Sequence, residues 1–263
     1  MNEKTELLNK LLRFRIPHYH DDFPLILFWS QRSGCTTLLK WFYFQTGLLK
    51  TALDYHPWIH FYDQQVYKKR SGHLERIRES LLKGKKKTVK LVRNPYKRAV
   101  SQFLILATNK GNEHWNNEWK KIRKYFYHHP DSPRGINFKQ FLQYIRDASG
   151  YDNHFSPQYV EGEEYFVKNY IYLEHFNRDI GTMERIYGLK KSDPAALSKS
   201  SHHLSPSMTL KGKYAECEIT WDTFRSNRFP TYESFYDPEA VALVNTIFHK
   251  DFEMYGYRKV MPK

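Results

Sequence analysis

A short apolar segment, followed at once by a polar turn and a helix-forming segment, constrains this chain more than any other feature. Residues 24–29 read PLILFW, an apolar run that opens with a Pro, as expected for a buried parallel strand. In residues 35–45, CTTLLKWFYFQ, apolar side chains recur at helical spacing, and Gly47 suits a helix stop. The sequence therefore predicts a strand, a tight polar loop and a helix.

A second unit of the same kind begins at residue 87. KTVKLV alternates as a strand does, and Asn94 followed by Pro95 forms an N-cap and first helical position, so residues 95–108 are predicted to be helical. Further segments are predicted as helices at 115–126 and 138–148, a strand at 169–174 and one terminal helix opening at Asp237 and Pro238. This alternation predicts an α/β fold with a central, mostly parallel sheet flanked by helices.

Length and composition favour one globular unit. The chain has 263 residues, of which 40% are hydrophobic, and no Gly/Ser tract, Pro-rich stretch or repeat marks a boundary, so residues 1–263 are expected to form a single domain. Cys35 and Cys217 are too few for a disulfide framework, although one bridge remains open. No apolar run reaches the roughly 18 residues of a membrane span. We therefore expect a cytoplasmic protein without a membrane span.

The charge balance indicates an anionic partner without identifying it. The 42 Lys and Arg exceed the 28 Asp and Glu, which gives a formal net charge of +14. Nucleic acid, an anionic membrane and a phosphorylated or sulfated small molecule all fit this charge. The local motifs must decide between them.

The first polar loop, SQRSGCTT at residues 30–37, has the composition of an anion site. Gly34 permits close backbone approach, the following helix directs free N–H groups outward, and Thr36 and Thr37 offer hydroxyl donors. Arg32 adds a fixed positive charge. The alternative is an ordinary connection whose Ser and Thr only cap the helix. The loop is not a Walker A motif, because both the first Gly and the Lys of GxxxxGK[ST] are missing.

These residues carry a family resemblance. A strand, the pattern [KR]SGxTxL and a helix resemble the 5′-phosphosulfate loop of sulfotransferases that use 3′-phosphoadenosine 5′-phosphosulfate (PAPS). The resemblance implies that Arg32 occupies the position of the usual Lys and stabilises charge on the leaving group. It also implies a phosphate cradle formed by Ser33, Gly34, Cys35, Thr36 and Thr37. Because Arg does not lose its proton, the role of Arg32 is expected to be electrostatic.

A second motif resembles the 3′-phosphate site of the same family. In LVRNPYKRAVSQF, Arg93 ends the predicted strand and Ser101 follows eight residues later in the predicted helix. In the family, an Arg and a Ser at this spacing both contact the 3′-phosphate of the nucleotide, which remains on the product 3′-phosphoadenosine 5′-phosphate (PAP). Taken alone, each residue also fits a solvated charge or a neutral helix position. Arg98 and Lys97 are expected on the helix surface.

Later segments extend the resemblance over most of the chain. DNHFSPQ at 152–158 and residues 236–257 look like motifs of the carbohydrate sulfotransferase branch, which is sulfotransferase family 2-like. This implies a P-loop-like three-layer fold and a hydroxyl-bearing acceptor such as a glycan or glycolipid. His154 fits either a cleft residue or a structural one. By the same resemblance, Lys211, Gly212 and Lys213 cover the 3′-phosphate, although a solvated loop is the simpler interpretation.

An acceptor hydroxyl must lose its proton, and the family commonly places the general base just after the first helix. The corresponding stretch offers Asp54, His56, His60 and Asp63. We favour His56, because Pro57 holds its backbone extended and a neutral imidazole accepts a proton near neutral pH. His60 is the second candidate. Either His also fits a purely structural role in the loop.

Two other classes of function stay open at this stage. A P-loop type nucleotide kinase or hydrolase would need the phosphate loop that is missing here, and a basic nucleic-acid-binding protein would use the +14 charge alone. No nucleic-acid motif appears, so we expect no nucleic acid among the partners. No His, Cys, Asp or Glu cluster has metal-ligand spacing, so no metal is predicted. The sequence does not indicate an oligomeric state.

Overall fold

The computed structural model describes residues 3–199, 204–224 and 226–262. Its α-helices are α1 (Glu3–Phe14), α2 (Cys35–Gln45), α3 (Leu49–Tyr55), α4 (Ile59–Tyr62), α5 (His73–Leu82), α6 (Pro95–Thr108), α7 (Glu113–Tyr127), α8 (Phe138–Asp147), α9 (Phe176–Ile186), α10 (Pro194–Ser198), α11 (Pro238–Ile247) and α12 (His249–Tyr255). Its strands are β1 (Leu25–Phe28), β2 (Lys87–Val92), β3 (Asn169–Tyr172), β4 (Met208–Leu210) and β5 (Phe229–Pro230). A π-helical segment, Asp63–Tyr67, continues α4, and 3₁₀ turns lie at Glu163–Tyr165, Leu173–His175, Ser205–Ser207 and Tyr232–Phe235.

The chain divides into two compact units. The first comprises Met1–Arg93 and Gln158–Ser200, and the second comprises Asn94–Pro157 and Ser201–Lys263. That residues 1–263 act as one domain stays a prediction.

The first unit is built on a parallel sheet in the order β1-β2-β3. Alternate side chains of a strand point to opposite faces of its sheet. Leu25 and Leu27 therefore pack in a core with α2 and α9, whereas Ile26 and Phe28 pack in a second core with α1 and α5. Helices cover both faces of the sheet, so the prediction of an α/β fold with a parallel sheet flanked by helices is confirmed.

Helix α2 begins where the sequence predicts and packs tightly in the core of the first unit. Leu38, Leu39, Trp41, Phe42 and Tyr43 are all almost fully buried. Burial of each such side chain stabilises the fold by about 1.5–3 kcal/mol. The polar loop in front of α2 is thus attached to one of the best-packed helices of the unit.

The second unit packs around α6, which is buried along almost its whole length. Its core also contains side chains of α7, α8, α11 and α12, and a small parallel pair of strands, β4 and β5, lies at residues 208–230. Arg98 is only 1% exposed, so its expected surface position is wrong, because α6 is packed on nearly every side. Lys97 is exposed as expected.

Two predicted elements differ in detail. The terminal helix is interrupted at Phe248 and forms α11 and α12, because the backbone of this buried residue leaves helical geometry (φ −106°, ψ 25°). The predicted strand at 169–174 ends at Tyr172, where a 3₁₀ turn begins. Within the described ranges, the helices are all too short or too polar to cross a membrane.

Candidate active site

The loop between β1 and α2 is a tight turn with unusual backbone geometry. Arg32 and Gly34 both have positive φ, 62° and 84°. A Cβ on Gly34 would meet Leu173 Cδ1 at 2.6 Å and Leu91 Cδ2 at 3.3 Å. A left-handed backbone conformation costs a non-Gly residue of order 1 kcal/mol or more. Arg32 is therefore strained, and position 34 requires a Gly because both its φ and the nearby Leu side chains disfavour a Cβ. Such strain is typical of ligand-binding turns.

The N terminus of α2 faces this turn with unsatisfied amide groups. Among the described residues, no side chain caps this helix. Its first main-chain hydrogen bond is donated by Leu38 N–H to Gly34 O. The amides of Cys35, Thr36 and Thr37 therefore lack helical carbonyl partners. Together with the positive end of the helix dipole, they form a site suited to a phosphate or sulfate group.

Gln158 locks the turn to the end of β2. Its Oε1 accepts hydrogen bonds from Ser33 Oγ at 2.6 Å and from the Arg93 backbone N–H at 2.8 Å, while its Nε2 donates to Arg93 O at 2.8 Å. Ser30 Oγ also donates to Ser33 Oγ at 2.9 Å. The hydroxyl of Ser33 thus faces the protein, which leaves its backbone as the part available to a phosphate.

The backbone of Gln158 is held from the other side. Its carbonyl oxygen accepts from Lys90 Nζ at 2.6 Å and from Arg15 Nη1 at 3.1 Å. Lys90 is itself paired with Glu163 at 2.5 Å, and both side chains are buried. Removing one partner of a buried ion pair is strongly destabilising, so this pair fixes the position of Gln158.

The two arginines predicted to bind phosphate meet directly. Arg93 Nη1 donates to the carbonyl oxygen of Arg32 at 2.9 Å, and the Arg93 side chain is largely buried at the end of β2. Arg93 therefore supports the strained residue of the turn. Ser101, its predicted partner, lies buried in α6 of the second unit, and their joint role stays a prediction.

Of the two histidines proposed as general base, His60 is the one beside the turn. Its Nε2 lies 3.0 Å from Thr36 Oγ1 and 4.0 Å from Cys35 Sγ. His56 ends α3 in extended backbone, as Pro57 suggests, but its Nδ1 accepts from Trp58 N–H at 2.9 Å and its ring stacks on Phe61 at 4.6 Å. Our preference for His56 therefore has less geometric support than the second candidate.

The environment of His60 favours its protonated form. Burial lowers the pKa of the imidazole, but the hydrogen bond and charge of Cys35 and the nearby Asp63 carboxylate outweigh it, so the pKa lies above the ordinary 6.5. Burial raises the pKa of the Cys35 thiol, yet His60 and Arg32 bring it below the ordinary value. Cys35 is half-buried, and its Sγ lies 4.0 Å from His60 Nε2.

A buried charge network holds the segment that carries His60. The Asp63 carboxylate pairs with Lys68 Nζ at 2.7 Å and accepts from Tyr43 OH at 2.9 Å, and His18 Nδ1 lies 3.8 Å away. Burial, with Lys68, lowers the pKa of His18 to about 3, so this ring is neutral. Asp63 is thus a structural residue, and Asp54 is exposed and paired with Lys50. Neither acid is placed to act as the base.

Comparison with known families decides the assignment. The family model described as "Sulfotransferase family" matches residues 20–258. The chain belongs to the sulfotransferase family. No curated protein and no solved structure shows a significant match. Family membership supports sulfuryl transfer to an acceptor hydroxyl as the general activity and is consistent with a P-loop-like fold.

The third predicted element of this sulfotransferase, Lys211-Gly212-Lys213, lies in the second unit. It follows β4 as an exposed loop, and no described residue forms an ion pair with either lysine. Leu210 next to it is anchored, because its carbonyl accepts from Thr231 N–H at 2.9 Å. The loop is therefore attached at its base and solvated at its tip.

Exposed aromatic side chains lie at residues 55–61 of the first unit, in the segment that carries His60. Tyr55, Trp58 and Phe61 are 54%, 45% and 36% exposed, although aromatic side chains of this size usually lie inside. Tyr55 and Phe61 stack at 6.3 Å, and the Trp58 ring lies 5.8 Å from that of His60. We call Tyr55, Trp58 and Phe61 the aromatic platform. Its three rings present exposed apolar surface in the same segment as His60.

Sequence reasoning missed two features of this sulfotransferase. Gln158 ends the DNHFSPQ segment, but an isolated Gln gives no signal of a distant partner. In the second unit, His114, Asp152 and His154 bring their ligand atoms within 4.8 Å of one another, although their sequence spacing predicted no metal. His114 is remote in sequence from the other two, which is why spacing alone did not find the group.

Proposed function

We propose that this sulfotransferase takes its sulfuryl group from PAPS and that the loop from Arg32 to Thr37 binds the 5′-phosphosulfate. Support comes from the uncapped N terminus of α2, the positive φ of Gly34 and the cation of Arg32. Backbone amides and a planar guanidinium are the donors that phosphate and sulfate oxygens prefer. The single observation that carries the proposal is this strained turn before an uncapped helix.

The chemistry divides between charge stabilisation and proton removal. Transfer forms a bond between the acceptor oxygen and sulfur while the bond from sulfur to the 5′-phosphate oxygen breaks, in line. Arg32 and the α2 amides would stabilise the negative charge that collects on the leaving phosphate. His60 Nε2, beside Thr36, would accept the hydroxyl proton, and we now favour it over His56.

The acceptor we propose is a carbohydrate, free or as a glycolipid. The aromatic platform supports this choice, because its three rings are exposed in the segment that carries the candidate base, and the Trp58 ring lies 5.8 Å from that of His60. A hydroxyl of a sugar stacked on the platform would reach the same region as His60. The likeness of DNHFSPQ to the carbohydrate branch supports the same acceptor class.

The 3′-phosphate would be bound by Arg93, Ser101 and the Lys211-Gly212-Lys213 loop. For Arg93, its place at the end of β2 beside the turn supports the role. For Ser101 and the basic loop, which belong to the second unit, the support is the resemblance of sequence.

A radiolabelled transfer assay tests the proposal. Purified protein is incubated with sulfur-labelled PAPS and a panel containing polysaccharides, glycolipids, phenols and a tyrosine peptide. We expect label on a carbohydrate, and loss of that signal in Arg32→Ala. Label on the peptide or phenol alone would overturn the carbohydrate assignment. The PAPS assignment would be overturned if the protein neither transferred label to any acceptor nor bound PAP.

A further inference from the structure

A group of three potential metal ligands lies in the second unit, outside the residues proposed for sulfuryl transfer. His114 Nε2 lies 2.9 Å from Asp152 Oδ2, and His154 Nδ1 lies 2.5 Å from Asp152 Oδ1. One carboxylate is thus held between two imidazoles. Two imidazoles and a carboxylate are a ligand set typical of catalytic zinc sites, in which a fourth position stays open to water.

The spacing of the ligand atoms suits a small divalent cation. With ligand bonds of about 2.0–2.1 Å, two ligand atoms of a tetrahedral zinc centre lie about 3.3 Å apart. One ligand atom from each of the three residues lies within 4.8 Å of the other two, and each imidazole is closest to a different oxygen of Asp152, at 2.9 and 2.5 Å. Binding therefore requires small side-chain movements and leaves the backbone in place.

Both elements that carry the ligands are anchored. The turn at Asp152–Phe155 closes by a backbone hydrogen bond of 2.9 Å, Phe155 is fully buried, and Gln102 Nε2 donates to His154 O at 2.7 Å. His114 lies in the first turn of α7, which Asn112 caps. Trp115 beside it is buried and contacts the His154 ring at 5.2 Å. Ligands on anchored elements lose little conformational freedom on binding.

Exposure of the group allows a cation to enter. The side chains of His114 and His154 are 57% and 36% exposed, whereas Asp152 is 14% exposed. The carboxylate is thus the least exposed of the three groups, and the two imidazoles are the more accessible. This arrangement differs from a buried ion pair, which has no entry path.

We propose that His114, Asp152 and His154 bind a zinc-like divalent cation that ties the start of α7 to the turn at 152–155. The cation takes the place of the protons that join the imidazoles to the carboxylate. It links segments that are distant in sequence and stabilises the folded state by binding it in preference to the unfolded chain. The proposal is independent of sulfuryl transfer.

Zinc titration of the full-length protein, after chelator treatment and dialysis, tests the site. We expect one zinc per chain and a melting temperature about 5 °C or more higher at a hundredfold excess over the dissociation constant. Replacement by cobalt should give visible absorption without a thiolate charge-transfer band. His114→Ala should weaken zinc binding by more than about 100-fold, beyond the 10- to 100-fold typical of an outer-shell partner.

Matched variants separate this site from others. His249→Ala removes an exposed histidine of the same unit, and Cys35→Ala removes the thiol beside His60; both should keep wild-type zinc affinity. Asp152 also accepts a hydrogen bond from the His154 backbone N–H, so replacing Asp152 would remove a contact of the turn as well as a ligand. His114→Ala and His154→Ala are therefore the variants that test the proposal. Zinc binding unchanged in both, or no zinc uptake by the wild type, would overturn the proposal.

Discussion

Two basic, Gly-containing loops of this protein look alike in sequence and differ in structure. The loop at 30–37 has strained backbone, buried hydrogen bonds to Gln158 and an uncapped helix behind it. The loop at 211–213 carries two lysines in solvent after β4. Both would attract an anion, but only the first fixes donors in one geometry before the anion arrives.

This difference separates charge from preorganisation. Exposed lysines act at a distance and are screened by salt, so they contribute little to a defined geometry. Amides at a helix terminus and a guanidinium held on a strained turn cost little to orient when the ligand binds. We therefore propose that the first loop carries the chemistry and that the second has an accessory role.

The largest effect is expected at His60, which adjoins the first loop. His60→Gln should lower kcat by about 10²- to 10⁴-fold, because the acceptor proton then lacks its base. His56→Gln is the matched control, four residues away, and should stay within about threefold of wild type. Steady-state kinetics with saturating PAPS check both. A larger loss in His56→Gln than in His60→Gln would reverse the assignment.

The next largest effect on kcat is expected at Arg32. Arg32→Ala is expected to lower kcat by about 10²- to 10³-fold, as for loss of one charge-stabilising donor in other enzymes. Arg32→Lys should recover part of the rate, since the charge is kept without the planar fork. If Lys213→Ala reduced kcat as much as Arg32→Ala, the contrast between the two loops would not hold.

Gly34 tests the backbone of the first loop. Gly34→Ala should lower the free energy of unfolding by about 2–4 kcal/mol, from left-handed strain plus the overlap with Leu173. Gly47→Ala, at the other end of α2, has similar φ and no described atom within 4 Å of the added Cβ, so about 1 kcal/mol is expected. Urea denaturation measures both. Equal losses would show that the contact with Leu173 is unimportant.

The pH dependence follows from the raised pKa of His60. A base acts when neutral, so activity should fall as the pH drops through the folded-state pKa, and the acid limb of kcat/KM should lie above 6.5. Cys35→Ala removes the main partner that raises this pKa and should move the limb to lower pH. A limb at or below 6.5 in the wild type would contradict the described environment.

The smallest effect is expected at the second loop. Lys211→Ala and Lys213→Ala should each weaken PAP binding by about threefold or less at physiological salt, because exposed charges are screened. Titration at low and physiological salt checks this, and the difference from wild type should shrink as salt rises. A loss of tenfold or more that persists in salt would mean that the loop closes on the nucleotide.

Local signals allowed much of the fold to be predicted. Apolar spacing predicts the bounds of α2 and β2, and Asn94 with Pro95 marks the start of α6. These signals act within a few residues of the chain. The role of Gln158 could not be predicted, because its partners Ser33 and Arg93 come from other segments of the chain. Tertiary contacts, not propensity, place such residues.

The choice between His56 and His60 shows the same limit. Both lie in the short segment after α2 with similar neighbours in sequence, and the extended backbone expected before Pro57 favours His56. The buried pairing of Asp63 with Lys68 and Tyr43 fixes the segment so that His60 approaches Thr36. With His18, that network joins three separate segments, and no pattern in the sequence indicates it.

Calorimetric titration with PAP and with adenosine 5′-phosphate tests the central claim most directly. We predict that wild-type protein binds PAP at least tenfold more tightly, that Arg93→Ala and Ser101→Ala lose this preference while still binding adenosine 5′-phosphate, and that Arg32→Ala weakens both ligands. If Arg93 only supported the turn, its variant would weaken both ligands equally. Wild-type protein that binds adenosine 5′-phosphate as tightly as PAP would contradict the account.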